Sequence, residues 1–540
     1  MLTKSKRIAI ASVCLATCLT TAFAAKPKTK FKAVDPELAV NELAAVTRTA
    51  AKPGEGVYYS MFVRSFADSN KDGIGDFNGI IKKLDYLNDG NDLTTTDLGI
   101  TGIWMLPIFP SQSYHGYDVD NYYDVNPEYG TMKDFENLLA ECKKRGISVI
   151  IDMTCNHSSA YNDWFIQSKK ADSPYRTWYR WINDLDFAEN GGPYNRNQKG
   201  LAGNIWTIDM TSPVLDADGK PVLDKSGLAV MNYYAGLFST QMPDLNMDEP
   251  AVREEFKKVF KFWLDKGVSG FRFDAAGHVY NSAEVKPGSE TMPKAIAFWK
   301  EMNDKANTPD DPDTSTYNGF ARSLESTYSL YASNNPDYID APFLSNHDQP
   351  RSCAGLRNKP EKMKLAANMY ILAEGIPFIY YGEEIGMKSG KDDPSKRTPM
   401  VWKAAGKEKL TPTWIDSGAY GNAAIYNKKT IPVDVQENDP ASVLQHYKRV
   451  IRVKTAHPAL HRGRLKAVPT NSAVVESYVM ECDVEKAFVA HNVSSSRTVT
   501  VAIPEGCDMP LVFASNAGVK VEGGMLTIPP MTSIVLAANK

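Results

Sequence analysis

From residue 57 onward, short apolar runs of strand length alternate with segments in which apolar residues recur at helical spacing. The predicted strands are Val57–Val63, Gly102–Pro107, Ile147–Asp152 and Ser269–Phe273, and the predicted helices are Asn78–Leu87, Met132–Arg145 and Pro250–Lys266. Strands that alternate with helices are typical of βαβ units around a parallel sheet. Their spacing predicts an α/β fold, a (β/α)8 barrel of the TIM type.

Two stretches depart from this alternation and divide the chain. Residues 157–246 are rich in Trp, Tyr, Asn and Gly and leave from the end of a strand, where barrel enzymes carry an inserted binding subdomain. Near the C-terminus, short alternating runs between turn residues predict an antiparallel β-sandwich. We therefore expect barrel domain A at 56–156 and 247–460, inserted domain B at 157–246 and C-terminal domain C at 461–540.

The barrel is expected to be incomplete around its fifth strand. The chain between Asp274 and Asp348 is shorter than the about 90 residues that three βα units need at roughly 30 each. The pattern predicts two helices there, Glu290–Ala306 and Phe320–Ser333, followed by a strand at Tyr338–Ser345. Because no strand is predicted between the two helices, the fourth barrel helix would be joined to the sixth.

The N-terminus has the parts of a secretory signal peptide. Three cationic residues precede an apolar run and a small-x-small cleavage site: Lys4, Lys6, Arg7, Ile8–Leu19 and Ala22–Ala24. The run is too short for a membrane span, so we predict a cleaved signal peptide at 1–24, a leader at 25–55 and a secreted or periplasmic protein. A lipoprotein anchored at Cys18 is the weaker alternative, because Thr17 is a poor residue to precede a lipidated cysteine.

Composition and charge exclude several classes of function. Apolar residues make up 43% and charged residues 23% of the chain, as in ordinary globular proteins, and the formal net charge is −3. A chain without a basic excess is a poor candidate for nucleic acid binding, and no later stretch is apolar enough for a membrane span. The cysteines are too few for a disulfide scaffold, although Cys482 and Cys507 lie in one segment and could pair.

Polar residues follow three of the predicted strands at the point where each strand ends. These residues are Asp152 with Asn156-His157, Arg272 with Asp274, and Asn346-His347-Asp348. Because the carboxyl ends of barrel strands meet at one mouth, these carboxylates, imidazoles and the guanidinium are expected to converge. One such group alone could be a capped strand end, but three groups favour an active site.

A loop near the start of the barrel has the spacing of a calcium site. Oxygen donors stand at the first, third, fifth, seventh and ninth positions of this loop: Asp68, Asn70, Asp72, the backbone carbonyl of Ile74, and Asp76. The last position, a bidentate Glu in an EF-hand, is Gly79 here. We therefore predict bound Ca²⁺ without the helix pair of an EF-hand, with a solvated acidic turn as the alternative.

Taken together, these motifs resemble the signature regions of the α-amylase family of glycoside hydrolases. The matching segments are Asp152–His157, Gly270–His278, Asn346–Asp348, Met242–Asn246, His115–Asp118 and Gly375–Glu384. Met242-Pro-Asp-Leu-Asn246 has the form of members between oligo-1,6-glucosidases and neopullulanases. The resemblance runs from about Val57 into the β-sandwich. It implies a glycoside hydrolase that acts on α-glucans such as starch and maltooligosaccharides, and a monomer is expected.

The resemblance implies a retaining mechanism. Asp274 would be the nucleophile that attacks the anomeric carbon, and Arg272 would hold it ionised by charge pairing. Asp348 would help to distort the sugar ring towards the oxocarbenium-like transition state.

The same resemblance implies a set of residues that bind the sugar. They are His115, Tyr117, Asp118, His157, Arg272, His278 and His347. Tyr117 would stack on the sugar ring, and Asp118 could close a pocket at the non-reducing end, as in α-glucosidases. Gly277 stands where many relatives have Lys, which weakens one expected contact with the leaving-group sugar. Endo or exo action and α-1,4 or α-1,6 preference stay open.

One expected residue is missing, the general acid. In the family it is a Glu at the end of the fifth strand, in a Gly-Glu-aromatic setting that this chain lacks. Glu325 is a better candidate than Glu290 and Glu301, which belong to the preceding predicted helix, but the pattern places it in the middle of a helix. A glucan-binding protein with impaired catalysis is therefore an alternative to the hydrolase, as is an α-glucosidase or transglycosylase of the same family.

Overall fold

The computed structural model describes residues 55–280, 319–403, 409–420 and 423–540. The predicted signal peptide, nearly all of the leader and the predicted helix Glu290–Ala306 lie outside this range. Within it, the chain forms two compact units. The first contains residues 55–104, 137–149 and 319–540 of the described range, and the second contains 105–136 and 150–280.

The strands are, in chain order, β1 (Tyr58–Met61), β2 (Gly102–Met105), β3 (Ser148–Thr154), β4 (Trp181–Asn183), β5 (Trp206–Pro213), β6 (Met231–Ala235), β7 (Gly270–Asp274), β8 (Phe378–Tyr380), β9 (Arg464–Ala467), β10 (Val475–Glu481), β11 (Glu485–Asn492), β12 (Val499–Ala502), β13 (Leu511–Ala514), β14 (Lys520–Glu522), β15 (Met525–Ile528) and β16 (Thr532–Asn539). The strands predicted near the start of the chain are confirmed.

The α-helices are α1 (Val63–Phe66), α2 (Phe77–Leu87), α3 (Met132–Lys144), α4 (Asp163–Ser168), α5 (Pro250–Asp265), α6 (Phe320–Asn334), α7 (Ser352–Gly355), α8 (Pro360–Ile371), α9 (Asp393–Lys396), α10 (Val433–Gln436), α11 (Val443–Ala456) and α12 (Pro458–Arg462). The predicted helices that lie in the described range are confirmed to within a few residues. No helix among the described residues is long and apolar enough to cross a membrane.

In the first unit, the barrel sheet runs through β8, β1 and β2 to the first residues of β3. Strands β1 and β8 pair in parallel, with Tyr58 opposite Phe378. The N–H of Ser148 at the start of β3 donates to the carbonyl of Thr101 at 2.9 Å. Every residue of β1 and β2 is buried, as expected of a parallel sheet covered on both faces.

In the second unit, the rest of β3 pairs in parallel with β7. Asp152 lies opposite Arg272, and Thr154 lies opposite Asp274. This register places the polar ends of two strands side by side. The amphipathic helix α5 precedes β7 and buries Val252, Phe256, Val259, Phe260 and Trp263. The five strands β1, β2, β3, β7 and β8 form the barrel part of an α/β fold with a C-terminal β-domain, as predicted.

The insertion after β3 has its own small sheet, in which β6 lies between β4 and β5 and pairs with both in antiparallel fashion. Its core is mainly aromatic and aliphatic: Ile182, Phe187, Ile205, Trp206, Tyr233, Ala235 and Leu237. The subdomain thus has a core that holds its loops in place. Its predicted boundaries stay predictions.

Between β5 and β6 the chain forms a compact projection, residues 213–230, which we call the finger. Pro-Val-Leu-Asp occurs twice here, from Pro213 and from Pro221. Three valines are joined in a closed ring by backbone hydrogen bonds: Val222 N–H to Val214 O at 2.9 Å, Val230 N–H to Val222 O at 2.8 Å, and Val214 N–H to Val230 O at 2.8 Å. The ring gives the finger a fixed backbone without a regular strand.

The segment before β8 corrects one expectation. The predicted strand Tyr338–Ser345 is irregular chain. It accepts only two backbone hydrogen bonds from the segment leading into β8, from Ile376 N–H to Asp340 O at 2.8 Å and from Phe378 N–H to Pro342 O at 2.9 Å. Pro342 has no N–H to donate in return, so a continuous ladder does not form.

The C-terminal residues form two antiparallel sheets, β13-β16-β11-β10-β9 and β12-β15-β14. Both sheets contribute to one apolar core: Phe488 comes from the larger sheet, and Val501 and Leu526 come from the smaller. The predicted β-sandwich is therefore confirmed. Cys482 and Cys507 are both free thiols, so the disulfide that the sequence allowed is not formed.

Candidate active site

A guanidinium between two carboxylates forms the centre of the candidate site in the second unit. Arg272 on β7 lies 2.9 Å and 3.1 Å from the two carboxylate oxygens of Asp152 on β3. The same guanidinium nitrogen lies 2.7 Å from Asp274. The parallel register of β3 and β7 brings these three residues together, as the sequence predicted.

Burial and charge act against each other at Asp152. Its side chain is fully buried, and burial together with the neighbouring charge of Asp274 raises its pKa to about 7, against the opposing effect of Arg272. Burial disfavours the charge of Arg272, but the adjacent carboxylates raise the pKa of its guanidinium, which stays protonated. Asp274 therefore faces a permanent positive charge at 2.7 Å.

Tyr117 connects this centre to the loop before it. Its hydroxyl donates to Asp152 at 3.0 Å, and its N–H donates to Nδ1 of His115 at 3.2 Å. Gly116 between them has φ +82°, and a Cβ there would lie 3.0 Å from Pro107, so only glycine fits this turn without strain.

Asp118 is engaged within its own loop. Its carboxylate accepts from the hydroxyl of Ser111 at 2.7 Å, from the N–H of Ser113 at 3.2 Å and from the hydroxyl of Ser113. These contacts fix the loop that carries His115 and Tyr117. The pocket-closing role expected of Asp118 stays a prediction.

His157 is a buried imidazole that stays neutral. It is 1% exposed, and burial lowers its pKa to about 4, although Asp274 acts in the opposite direction. Its Nε2 has no hydrogen-bond partner among the described residues. A buried nitrogen without a partner is rare in proteins, and it could accept from or donate to a sugar hydroxyl.

His278 lies on the short 3-10 turn that follows β7, where its N–H donates to Ala275 O at 2.7 Å. Ala275 has φ +50°, so the chain turns sharply after Asp274. His278 thus lies on the turn that directly follows the predicted nucleophile Asp274. The sequence did not reveal that the ring of Phe238 contacts the rings of both His157 and His278, at 5.1 Å and 5.7 Å between ring centres.

Asp244, in the Met242–Asn246 segment, connects the loop at Leu237 to Asn156, which follows β3. Its carboxylate is buried and accepts from Asn156 Nδ2 at 3.1 Å and from Leu237 N–H at 2.9 Å. The segment matched the family pattern, but only the fold shows what its carboxylate contacts.

The predicted pair His347 and Asp348 belongs to the first unit. Nε2 of the buried His347 lies 3.3 Å from the exposed carboxylate of Asp348. Arg397, which the sequence did not single out, lies 3.4 Å from the other oxygen of Asp348. The ring of Trp104 packs edge-on against His347 at 5.7 Å. Asp348 is therefore an exposed carboxylate held between an imidazole and a guanidinium.

Glu325, the candidate general acid, lies in the middle of α6 in the first unit and is half-buried. The first turn of α6 is tied to the C-terminal sheet, where Ala321 N–H donates to Glu476 at 3.1 Å. The mid-helix position agrees with the sequence interpretation, and the role of Glu325 stays a prediction.

Glu383 and Glu384, which follow β8, are structural. Glu383 accepts from the hydroxyls of Tyr370, Tyr447 and Ser345 at 2.8 to 3.0 Å. Glu384 accepts from the hydroxyls of Tyr59 at 2.8 Å and Tyr86 at 2.7 Å. Both carboxyl groups are buried, so their hydrogen bonds join β8 to its neighbours.

The predicted calcium loop has the right donors but a different arrangement. Both oxygens of Asp68 accept backbone N–H groups, from Lys71 at 2.6 Å and from Gly73 at 2.9 Å. Asp76 caps α2, accepting from Gly79 N–H at 2.7 Å and from Ser69 N–H at 2.6 Å. Across the described ranges, no three His, Cys, Asp or Glu side chains are grouped to hold a metal. The donor chemistry fits Ca²⁺, whereas the geometry is that of a self-bonded turn.

Two family models match the chain. The model of the alpha-amylase catalytic domain matches residues 60–338 and 323–463. The model of the alpha-amylase SusG C-terminal domain matches residues 475–535. The two segments that match the catalytic-domain model overlap at residues 323–338. This overlap lies in the span between Asp274 and Asp348, which the sequence analysis found too short for three βα units.

Individual relatives are similar over nearly their whole length. Alpha-amylase 3 of Dictyoglomus thermophilum is 35% identical over 511 residues, covering 89% of this chain and 92% of that protein. An oligo-1,6-glucosidase of Parageobacillus thermoglucosidasius is 29% identical, covering 82% of this chain and 91% of that protein. The crystal structure of an alpha-amylase from H. orenii superposes with a TM-score of 0.74 at 32% identity, covering 91% of this chain and all of that one.

Proposed function

This chain belongs to the α-amylase family of glycoside hydrolases, and we propose that it hydrolyses α-glucans by a retaining mechanism with Asp274 as the nucleophile. Members of the family act on α-glucans by hydrolysis or by transglycosylation. The observation that carries the proposal is the contact of Asp274 with the always-charged Arg272 at 2.7 Å, beside the buried Asp152.

In the first step, a carboxylate oxygen of Asp274 attacks the anomeric carbon while the bond to the leaving-group oxygen breaks. The product is a glycosyl ester of Asp274. Arg272 pairs with this carboxylate at 2.7 Å and holds it in position for the attack. The leaving-group oxygen needs a proton, which a general acid supplies in this class of enzyme.

In the second step, water attacks the same anomeric carbon, the ester bond breaks, and Asp274 is regenerated as a carboxylate. The neutral imidazole of His157 and the hydroxyl of Tyr117 are the polar groups beside this carboxylate that can hold sugar hydroxyls. Attack by a sugar hydroxyl instead of water would give transglycosylation with the same residues.

The test of this mechanism is Asp274→Asn. The amide has the same size as the carboxylate but cannot form the glycosyl ester, so whatever hydrolysis of maltooligosaccharides the chain shows should be lost. Asp265→Asn, at the exposed end of α5, is the matched control and should keep full activity. If Asp274→Asn keeps more than a few per cent of the activity, Asp274 is not the nucleophile.

We also propose that the general acid of the fifth strand has been lost from this chain. The overlap of the two family matches at residues 323–338 supports this proposal, as does the short chain between β7 and Asp348. The residues between 281 and 318 lie outside the described range. The proposal therefore rests on sequence.

Calcium binding by the loop Asp68–Asp76 is a further proposal. It rests on three carboxylates and an amide at the spacing of a calcium loop. If Ca²⁺ binds the native protein, EDTA should lower the melting temperature, because a ligand that binds only the native state adds to its stability. Elemental analysis without calcium, together with an unchanged melting temperature in EDTA, would reject it.

An extracytoplasmic location is proposed from the N-terminal pattern alone. The check is N-terminal sequencing of the protein recovered outside the cytoplasm, which should begin at Ala25.

A further inference from the structure

The turn that carries His347 and Asp348 follows a segment with few backbone contacts to β8. Within the part of the chain that the structure describes, the last backbone hydrogen bond that joins this segment to β8 runs from Phe378 N–H to Pro342 O at 2.9 Å. Holding an irregular backbone in one conformation costs entropy, which some other contact has to offset. The residues between Pro342 and the turn therefore depend on side chains for their position.

Ser345 supplies such a side-chain contact. Its hydroxyl donates to Oε2 of Glu383 at 3.0 Å, and Ser345 is 2% exposed. The other oxygen of Glu383 accepts from Tyr370 on α8 at 2.8 Å and from Tyr447 on α11 at 3.0 Å. The acceptor is thus itself fixed by two helices, and a hydrogen bond shielded from water is stronger than an exposed one. The pair replaces, at the end of the segment, the ladder that Pro342 interrupts.

The path from Ser345 to Asp348 is short and closed by hydrogen bonds. The side-chain carbonyl of Asn346 accepts the N–H of Asp348 at 2.9 Å and the N–H of Gln349 at 3.1 Å. His347, between them, is fully buried. A shift of the backbone at Ser345 would therefore be passed on to Asp348 rather than absorbed within the turn.

The far side of the turn is anchored to the same region of the chain. The N–H of Arg351 donates to Oγ of Ser389 at 2.8 Å, and its guanidinium donates to the carbonyl of Tyr381 at 2.5 Å. Arg351 is 2% exposed. The turn is thus held at both ends by residues that follow β8, by Ser345 before it and by Arg351 after it.

We propose that Ser345 is a positioning residue, which fixes the turn to Glu383 so that the carboxylate of Asp348 meets a bound sugar in one orientation. The inference rests on the proposed function, in which Asp348 contacts the sugar, and extends it to a residue just outside the matched motif. The side chain of Asp348 is 59% exposed, so packing alone does little to orient it. The backbone beneath Asp348 sets the direction of its carboxylate, together with His347 and Arg397.

The test measures binding separately from catalysis. In the Asp274→Asn chain, which should not turn the ligand over, binding of maltohexaose is measured by calorimetry with and without Ser345→Ala. The dissociation constant should rise about five- to tenfold, which is the net effect of losing one buried hydrogen bond. In a chain that also carries Asp348→Ala, the same Ser345→Ala change should alter the dissociation constant by less than about twofold, because it acts through Asp348.

Tyr447→Phe is the matched control. It also removes one donor from Glu383, at the oxygen that keeps Tyr370, and it leaves the contact with Ser345 in place. Both Ser345→Ala and Tyr447→Phe should lower the melting temperature, because each leaves a buried carboxyl group with one donor fewer. Only Ser345→Ala should weaken the binding of maltohexaose.

Each other outcome overturns the inference in a different way. If the Asp274→Asn chain binds maltohexaose and Ser345→Ala does not weaken that binding, the inference fails while the proposed function stands. Equal weakening by Ser345→Ala and Tyr447→Phe would show that affinity follows stability alone. An undiminished effect of Ser345→Ala beside Asp348→Ala would show that Ser345 does not act through Asp348. If the Asp274→Asn chain binds no maltohexaose at all, the proposed function and the inference both fail.

Discussion

At the scale of residues, Asp152 stands out because its carboxylate is fully buried and contacts both Arg272 and Tyr117. Its two oxygens receive the guanidinium of Arg272, and one also accepts from the hydroxyl of Tyr117. Asp152 therefore orients the residue that pairs with Asp274 and the residue expected to stack on the sugar, and its own buried carboxylate is engaged by these two partners. It is a positioning residue.

Asp152→Asn should lower kcat/KM about 10- to 100-fold, because Arg272 loses one charged partner of two. The pKa of Asp152 is raised to about 7, so its charge is lost as pH falls below about 7. A rise of kcat/KM with pH near 7 should be present in the wild type and absent in Asp152→Asn. Identical pH profiles for the two proteins would show that Asp152 does not act in this way.

The predicted site residues of β3 and β7 meet because the carboxyl ends of parallel strands lie at the same edge of a sheet. The sequence pattern predicts both the strands and the residues that follow them, so this part of the site could be predicted. Phe238, Asp244 and Arg397 escaped prediction for a different reason. Each acts through contacts with segments distant in sequence, and neither residue type nor local spacing reveals such a contact. The Met242–Asn246 match was the one available sign, and it pointed to Asp244 without its partners.

At the scale of elements, the end of β8 is joined to its surroundings by buried carboxyl groups. Glu383 bonds to Tyr370 on α8 and to Tyr447 on α11. The Glu383 side chain therefore links the end of β8 to α8 and α11. The hydroxyl groups that donate to it offset part of the free-energy cost of burying its carboxyl group.

Burial raises the pKa of Glu383 to about 7. Between the ordinary pKa of a glutamic acid and about pH 7, the Glu383 carboxyl group is protonated in the native protein and ionised in the unfolded chain. The free energy of unfolding therefore falls as the pH rises towards about 7, by at most about 1.4 kcal/mol per pH unit from this group. In Glu383→Gln this part of the slope should vanish when urea unfolding is compared at pH 5 and 7.5. Glu254→Gln, at an exposed carboxylate, is the control and should unfold like the wild type; an equal slope in Glu383→Gln would contradict the assignment.

Helices were predictable because the apolar spacing of α2, α3 and α5 continues over several turns. The irregular backbone of Tyr338–Ser345 could not be predicted, because an apolar run indicates burial but does not show whether the backbone pairs with a neighbouring strand. Pro342 has no N–H group to donate, so the ladder of hydrogen bonds is interrupted there. The finger also went unpredicted: its two Pro-Val-Leu-Asp units are visible in the sequence, but the hydrogen-bonded ring depends on how they fold back.

At the scale of the whole molecule, the chain matches both the catalytic domain and the C-terminal domain of the family, and the loss that we propose is confined to one span after β7. The order of the matched motifs made the family recognisable from sequence. The boundaries of the inserted domain depend on packing and could be placed only approximately.

A chain without the general acid should be selectively impaired. Starch has a leaving group that needs a proton, and this catalysis is worth about 10²–10⁴-fold. Fluoride departs without one. We expect very weak cleavage of starch together with measurable hydrolysis of α-glucosyl fluoride.

Strong starch hydrolysis that is abolished by Glu325→Gln would show instead that Glu325 is the acid and that the fifth strand is not lost. Failure on both substrates by a cooperatively melting protein would favour a glucan-binding protein.

The closed ring of Val214, Val222 and Val230 has a consequence for how this part of the gene can change length. Each valine donates one backbone hydrogen bond to the next member of the ring. Loss or gain of one eight-residue unit would require a different pairing of the backbone groups that now form the ring. We therefore expect variation in the finger to fall on its exposed turns while the three valines are kept.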